Sequence, residues 1–190
     1  MPEDLKVMPG ILLAAWPDLV DPNFMHTVVL MCQHSDEGAY GLIVNRATEL
    51  STKVLLPDHS DLGRIEFPVF FGGPVDHSSM QFVHTVPDDV PGGISLDGRI
   101  WLGGDLDALG RYIASDPERA RQHVRMFLGY AGWGEGQLET ELSIGSWLPA
   151  PLAMEALFGE DQEVTWRRVV RSVGGDGADL ENHPPDVSWN

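Results

Sequence analysis

The chain has 190 residues, and 43% of them are hydrophobic, which fits one globular domain with a core of its own. Cys32 is the only cysteine, so the sequence excludes an internal disulfide and a zinc site built on several cysteines. The formal net charge of −17 opposes contact with phosphate backbones and anionic lipids. No apolar run approaches the length of a membrane span. These features together predict a cytoplasmic protein whose partner is neither a nucleic acid nor a membrane.

The first half of the chain predicts strands. An apolar run at residues 28–32 and another at 41–44 flank the turn Asp36-Glu37-Gly38, which indicates a β-hairpin. Both runs are continuous rather than alternating, so we expect layers on both faces of this hairpin. The pair Asp97-Gly98 predicts a two-residue hairpin turn with both residues at positive φ. Further strands are expected at 10–15, 69–73 and 80–86, with a short helix at 51–56.

The second half predicts mainly helices. Asp105 and Asp116 are suitable N-caps, and apolar residues at helical spacing from Ala120 to Leu128 predict that the second helix extends to Gly129. Gly129 is suited to end a helix in the left-handed conformation. Partial alternation predicts a strand over residues 137–147, followed by short helices at 151–158 and 166–173. The acidic segment 174–190 predicts a flexible tail. The whole pattern indicates an α+β fold around a largely antiparallel or mixed sheet.

The stretch FLGYAGWGEGQLETEL, residues 127–142, combines glycines with Trp133 and two acids. On the predicted strand, Glu139 and Glu141 would point to the same face and could act as an acid and a base. They could equally form the solvated face of a structural corner in which the glycines are turn residues. No nucleophile or base partner lies nearby in sequence, so we favour the structural corner.

Other polar clusters carry weaker signals. The glycine pairs at 72–73 and 103–104 match no phosphate-loop pattern, and the histidines match no metal-binding helix motif. Arg121 and Arg125 share a face of the predicted helix and belong to a basic cluster with Arg111 and Arg119. That cluster could meet a phosphate or an acidic partner, but we favour pairing with the protein's own carboxylates. The sequence indicates no metal and no cofactor.

Four stretches of the sequence are distinctive in combination: PGILLAAWPDLVDPNF, TVVLMCQHSDEGAYGLIVNRAT, FFGGPVD and GYAGWGEGQLETEL. This combination closely resembles the YqgE/AlgH family of small bacterial proteins. The resemblance spans roughly residues 9–173, and we expect residues 1–173 to form one domain. The resemblance implies a strongly curved, barrel-like sheet with helices packed outside. It transfers a structural role to Gly72, Gly73, Pro74 and Gly132, and it marks as binding candidates Asn45, Arg46, Trp133, Gln137, Glu139 and Glu141.

Three functions follow from these observations. The first is a cytosolic binding or regulatory protein without catalytic residues, which contacts a small molecule or a protein and influences transcription indirectly. The second is an enzyme in which Glu139 and Glu141 work with Asn45 and Arg46, and a perturbed carboxylate in a deep pocket would favour it. The third is direct DNA binding, since family members carry the label of transcriptional regulators, although the net charge argues against it.

Overall fold

The computed structural model describes residues 6–173, so the predicted flexible tail at 174–190 lies outside the described residues. Within this part of the chain the strands are β1 Leu12–Ala15, β2 Val28–Ser35, β3 Gly38–Ile43, β4 Ala47–Ser51, β5 Pro68–Phe71, β6 Val75–His84, β7 Ile94–Ser95, β8 Trp101–Leu102, β9 Val124–Trp133 and β10 Trp147–Ala150. The helices are α1 Thr52–Leu55, α2 Leu106–Ser115, α3 Pro117–Ala120, α4 Gln137–Ser143, α5 Met154–Leu157 and α6 Gln162–Ser172. A single 3-10 turn covers Leu62–Arg64.

The strands form one mixed sheet in the order β10-β1-β2-β3-β9-β6-β8-β7, and β4 and β5 attach to it through β9. All pairs are antiparallel except β5 with β9. β9 is the shared strand, because its first part pairs with β5 and β6 and its last three residues pair with β3. The α+β class is confirmed. The barrel-like shape is not confirmed. Among the described residues the sheet is open, because it ends at the two-residue strands β7 and β8, which do not pair with β10.

Both faces of β1 and of the hairpin strand β2 are buried, as the continuous apolar sequence of the hairpin predicts. Leu12 and Leu30 belong to a core that includes Trp166 of α6, whereas Leu13 and Val29 belong to a second core on the opposite face. All five of these side chains are fully buried. A third core lies under α2 and the first part of β9. The hairpin is therefore an interior element with cover on both sides.

The predicted helix from Asp116 to Gly129 is wrong beyond its first turn. Asp116 does cap α3, where its side chain accepts a hydrogen bond from the Arg119 backbone N–H, and Asp105 caps α2 in the same way. The chain then becomes strand β9 at Val124, and Gly129 lies inside that strand with φ +73. A fully buried strand is apolar at nearly every position, so it also satisfies a helical spacing.

The predicted strand over residues 137–147 is also wrong, except at its last residue. Gln137–Ser143 is helix α4, preceded by Gly136 at φ +68, and the strand begins only at Trp147. Leu138 and Leu142 fit the inward face of a helix because they are four residues apart. Alternation over such a short segment does not distinguish the two structures.

The hairpin between β7 and β8 forms where Asp97-Gly98 predicts it, but its loop is longer than two residues. Ser95 pairs with Trp101, so five residues connect the strands, and only Gly98 has positive φ. The Asp97 carboxylate accepts hydrogen bonds from the backbone N–H groups of Arg99 and Ile100. Asp97 thus shapes the turn through its side chain rather than through its own backbone conformation.

Candidate functional site

Glu141 connects α4 to two strands. Its Oε2 accepts hydrogen bonds from the indole Nε1 of Trp133 at 2.9 Å and of Trp147 at 2.8 Å. Its Oε1 accepts from Nε2 of Gln137 at 2.9 Å. Trp133 and Trp147 are almost completely buried, and their rings meet edge to face with centroids 5.8 Å apart. The carboxylate therefore satisfies indole donors that would otherwise be buried without a partner.

Gln137 holds the turn that leads into α4. Its Oε1 accepts a hydrogen bond from the Gly134 backbone N–H at 3.0 Å, while its Nε2 donates to Glu141. The ring of Phe24 lies beside the two indoles, with its centroid 6.4 Å from Trp133 and 5.6 Å from Trp147. The loop that carries Phe24 is thereby joined to the motif around α4.

Asn45 lies in the interior and is only 2% exposed. Its Oδ1 accepts a hydrogen bond from the Val28 N–H at 2.8 Å, and its Nδ2 donates to the carbonyls of His26 and Gln162 at 3.0 and 2.9 Å. These bonds use both ends of the amide. Asn45 thus ties the start of β2 to α6 through backbone partners inside the fold.

Arg46, next to Asn45, holds the loop that contains Phe24. Its guanidinium donates to the carbonyls of Asn23 at 2.7 Å and Met25 at 3.4 Å, and it stacks 5.6 Å from the ring of Phe71. Partial burial lowers the pKa of Arg46, and the charge of Asp21 opposes that effect. Arg46 and the two indoles of Trp133 and Trp147 therefore hold the same loop, residues 21–27, through neighbouring positions in its middle.

Glu139 and Glu141 make separate contacts. They are two residues apart on a helix, so their side chains leave the axis in nearly opposite directions. Glu139 is exposed, and its Oε1 lies 2.5 Å from Nε2 of His34 on β2. Hydrogen bonding to Glu139 raises the pKa of His34, and the same bond lowers the pKa of Glu139. Sequence reasoning missed His34 as the partner because the two residues lie 105 positions apart.

Two of the motif glycines are required by backbone crowding. A Cβ on Gly72 would lie 2.3 Å from the Gly129 carbonyl oxygen, and one on Gly73 would lie 2.1 Å from the Tyr130 carbonyl carbon. Gly73 has φ +152, and Pro74 follows it directly before β6. At Gly132 the nearest atom to such a Cβ is 3.5 Å away, an ordinary contact. Crowding therefore requires glycine at 72 and 73 but not at 132.

A shallow cleft lies next to the C-terminal end of α4. It is open to solvent, encloses about 420 Å³ and is lined by Trp16, Asp18, Leu19, Ile144, Gly145 and Ser146. None of the motif carboxylates lines it. Within residues 6–173, no group of three or more His, Cys, Asp or Glu side chains is arranged to hold a metal ion. No helix in the same range has the length and apolarity needed to cross a bilayer.

The AlgH-like family model matches residues 12–178, which is most of the chain. The chain belongs to the AlgH-like family. Among AlgH-like relatives, a UPF0301 protein of Chlorobium limicola is 40% identical over 94% of each chain, and one of Chlamydia trachomatis is 35% identical over 95% of this chain and 94% of the other. The solution structure of the AlgH protein from Pseudomonas aeruginosa, 28% identical, superposes with a TM-score of 0.69 over 97% of this chain and 98% of that one. A crystal structure of a protein from Corynebacterium diphtheriae, at 21% identity, gives 0.73 over 94% of each and shows the same fold.

Proposed function

We propose that this AlgH-like protein is a cytosolic binding protein that catalyses no reaction. The observation that supports this proposal is the use of Glu141, whose oxygens accept hydrogen bonds from two buried indoles and one amide. A catalytic carboxylate needs an oxygen that is free to exchange a proton with a substrate. Glu141 instead stabilises the packing of Trp133 and Trp147.

The geometry gives little support to the enzyme hypothesis. It requires Asn45, Arg46, Glu139 and Glu141 in one site, yet no hydrogen bond joins either acid to Asn45 or Arg46 among the described residues. The cleft beside α4 is open, whereas an enzyme usually excludes water from the reacting groups. An open surface is more suitable for binding.

Equilibrium dialysis against a bacterial metabolite extract separates binding from catalysis. The full-length protein is dialysed against the extract, and both compartments are analysed by mass spectrometry. We expect one or more metabolites to be enriched with the protein in stoichiometric amount, while the total of every metabolite stays constant. A metabolite that disappears catalytically, with its loss prevented in a folded Glu139→Gln or Glu141→Gln variant, would overturn the proposal.

Direct DNA binding is the weaker alternative, because the net charge of −17 repels phosphates. A mobility-shift assay at several salt concentrations tests it. We expect no shift at physiological salt. A shift that weakens steeply as salt rises would contradict this expectation, because phosphate contacts release counterions.

A further inference from the structure

Arg125 is a buried charge with no paired carboxylate among residues 6–173. It lies on β9, not on the helix predicted for it, and it is 4% exposed. Among the described residues, no carboxylate oxygen lies within 4.0 Å of its nitrogens. Buried charges in proteins are normally paired, since removing a charge from water is costly. The absence of a paired acid is unexpected in a chain with 29 acids and 12 bases.

The hydrogen bonds of Arg125 leave one edge of its guanidinium available. Its Nη1 donates to the carbonyls of Val44 at 2.9 Å and Gly159 at 2.7 Å, so both protons of this nitrogen are used. Nε and Nη2 make no hydrogen bond among the described residues, and both atoms keep some contact with solvent. The pair of N–H groups on this edge has the spacing that matches the two oxygens of a carboxylate.

A cavity of about 180 Å³ opens at Arg125. Its walls are largely apolar, and its lining residues are Ala47, Phe67, Pro68, Phe70, Arg121, Val124, Arg125 and Glu160. The guanidinium carbon lies over the Phe70 ring, 3.7 Å from its centroid. The volume is about six times the ~30 Å³ that a water molecule occupies in the liquid, so it has room for a small organic molecule.

The local charge of this cavity is opposite to that of the whole protein. Arg121 adds a second positive charge, and the one ion pair that it makes in the described part of the chain, with Glu118, has a long N–O distance of 4.0 Å. Of the described residues that line the cavity, Glu160 is the one acid. Burial lowers the pKa of Arg125 to about 10, with the charge of Glu160 opposing that effect, so Arg125 stays protonated at neutral pH. The cavity therefore holds one net positive charge.

We propose that this cavity binds a small organic carboxylate, with its two oxygens on Nε and Nη2 of Arg125 and its apolar part against Phe67 and Phe70. A phosphate group fits less well, because a doubly charged, strongly hydrated anion needs more donors than this apolar cavity supplies. This inference rests on the proposed binding function, for which it names the site and the ligand class.

A side-chain NMR titration of the ¹⁵N-labelled full-length protein tests the inference. The Nε–H resonance of Arg125 is assigned by its loss in Arg125→Lys, and benzoate is added as the probe. We expect a downfield shift that saturates at a concentration on the order of millimolar, as for other ligands of this size. Benzamide has the same ring without the charge and should cause no saturable shift.

Three surface variants keep the test independent of the folding of Arg125→Lys. Arg121→Gln should weaken benzoate binding roughly two- to fivefold, which is the range expected for one exposed charge, and Glu160→Gln should strengthen it by a similar factor. Arg119→Gln makes the same charge change on α3 outside the cavity lining and should leave the affinity unchanged.

Several results would overturn the inference. These are the absence of a saturable Arg125 shift, an equal response to benzamide, tighter binding of inorganic phosphate than of benzoate, or equal weakening by Arg119→Gln and Arg121→Gln. The dialysis experiment distinguishes this failure from that of the proposed function. If the protein binds only neutral or cationic metabolites and leaves them chemically unchanged, the proposed carboxylate site is wrong and the binding function stands. Catalytic turnover of a metabolite would contradict the binding function itself.

Discussion

Glu141→Ala should destabilise the protein strongly, although the residue is only half-buried. The substitution removes the acceptor of two indole N–H groups that belong to nearly fully buried tryptophans. A hydrogen bond to a charged group contributes about 1.5 kcal/mol or more to stability, so the two bonds together give about 3 kcal/mol. The bond from Gln137 is exposed and adds little. In a chain of this length, a loss of about 3 kcal/mol lowers Tm by roughly 6–12 °C.

Glu139→Ala is the matched control, because it makes the same change on the same helix. Within residues 6–173, Glu139 bonds to one other side chain, the partly exposed His34, and the loss of this bond should cost at most about 1 kcal/mol. Urea unfolding followed by far-UV circular dichroism measures both variants, and hydrogen exchange of the indole N–H groups shows whether Trp133 and Trp147 lose protection. Equal destabilisation by the two variants, or a larger effect at Glu139, would refute the structural role of Glu141.

Three further predictions concern separate parts of the molecule. The raised pKa of His34 means that the stability it contributes is complete below its ordinary value of 6.5 and is lost as pH rises through the folded value. The lowered pKa of Glu139 means that its contribution is present above 4.5 and is lost as pH falls through the folded value. Glu139→Gln should therefore lower the free energy of unfolding most between pH 4.5 and 6.5, by at most about 1 kcal/mol after solvent screening. Urea titrations that show an equal loss at pH 9 would count against the ion pair. Burial raises the pKa of Cys32 to about 12. Iodoacetamide at pH 8 should therefore label the native protein roughly 10³-fold more slowly than the guanidinium-unfolded protein, because only the thiolate reacts. Comparable labelling rates, measured by mass spectrometry, would contradict the burial of Cys32. Gly73→Ala should prevent folding, because its Cβ would overlap the backbone at Tyr130. Gly98→Ala is the control, since Gly98 has open space around it and φ +83, and it should lower stability by only about 1 kcal/mol. Circular dichroism that shows both variants equally folded would disprove the close approach of Gly73 to Tyr130.

Local signals in the sequence predict much of the fold. The hairpin of β2 and β3 follows from two apolar runs around a turn, and the starts of α2 and α3 follow from Asp105 and Asp116. The predictions for β9 and α4 are wrong because the apolar residues of each segment fit both the spacing of a helix and the spacing of a strand. The choice between strand and helix at Val124 depends on the neighbouring β5 and β6, which occupy both edges of β9.

The candidate site is less predictable, since its contacts join distant parts of the chain. Asn45 bonds to Gln162 across 117 positions, and Glu139 bonds to His34 across 105. The sequence contains the polar residues but no signal for their partners. The cavity at Arg125 is missed for a related reason, because the false helix places Arg125 on the surface beside Arg121. Its location becomes clear only once Val124 is known to begin a buried strand.

The pairing of β1 with β10 has a consequence for synthesis on the ribosome. Leu12 lies opposite Ala150, so one edge of β1 has no strand partner until most of the chain has been translated. Helix α6, whose Trp166 donates to the Ala15 carbonyl at 2.8 Å, is made later still. During this interval the nascent chain presents an apolar strand edge that can pair with other chains. Completion of the native sheet therefore waits for the synthesis of β10, and a chaperone that shields this edge until then would raise the yield of folded protein.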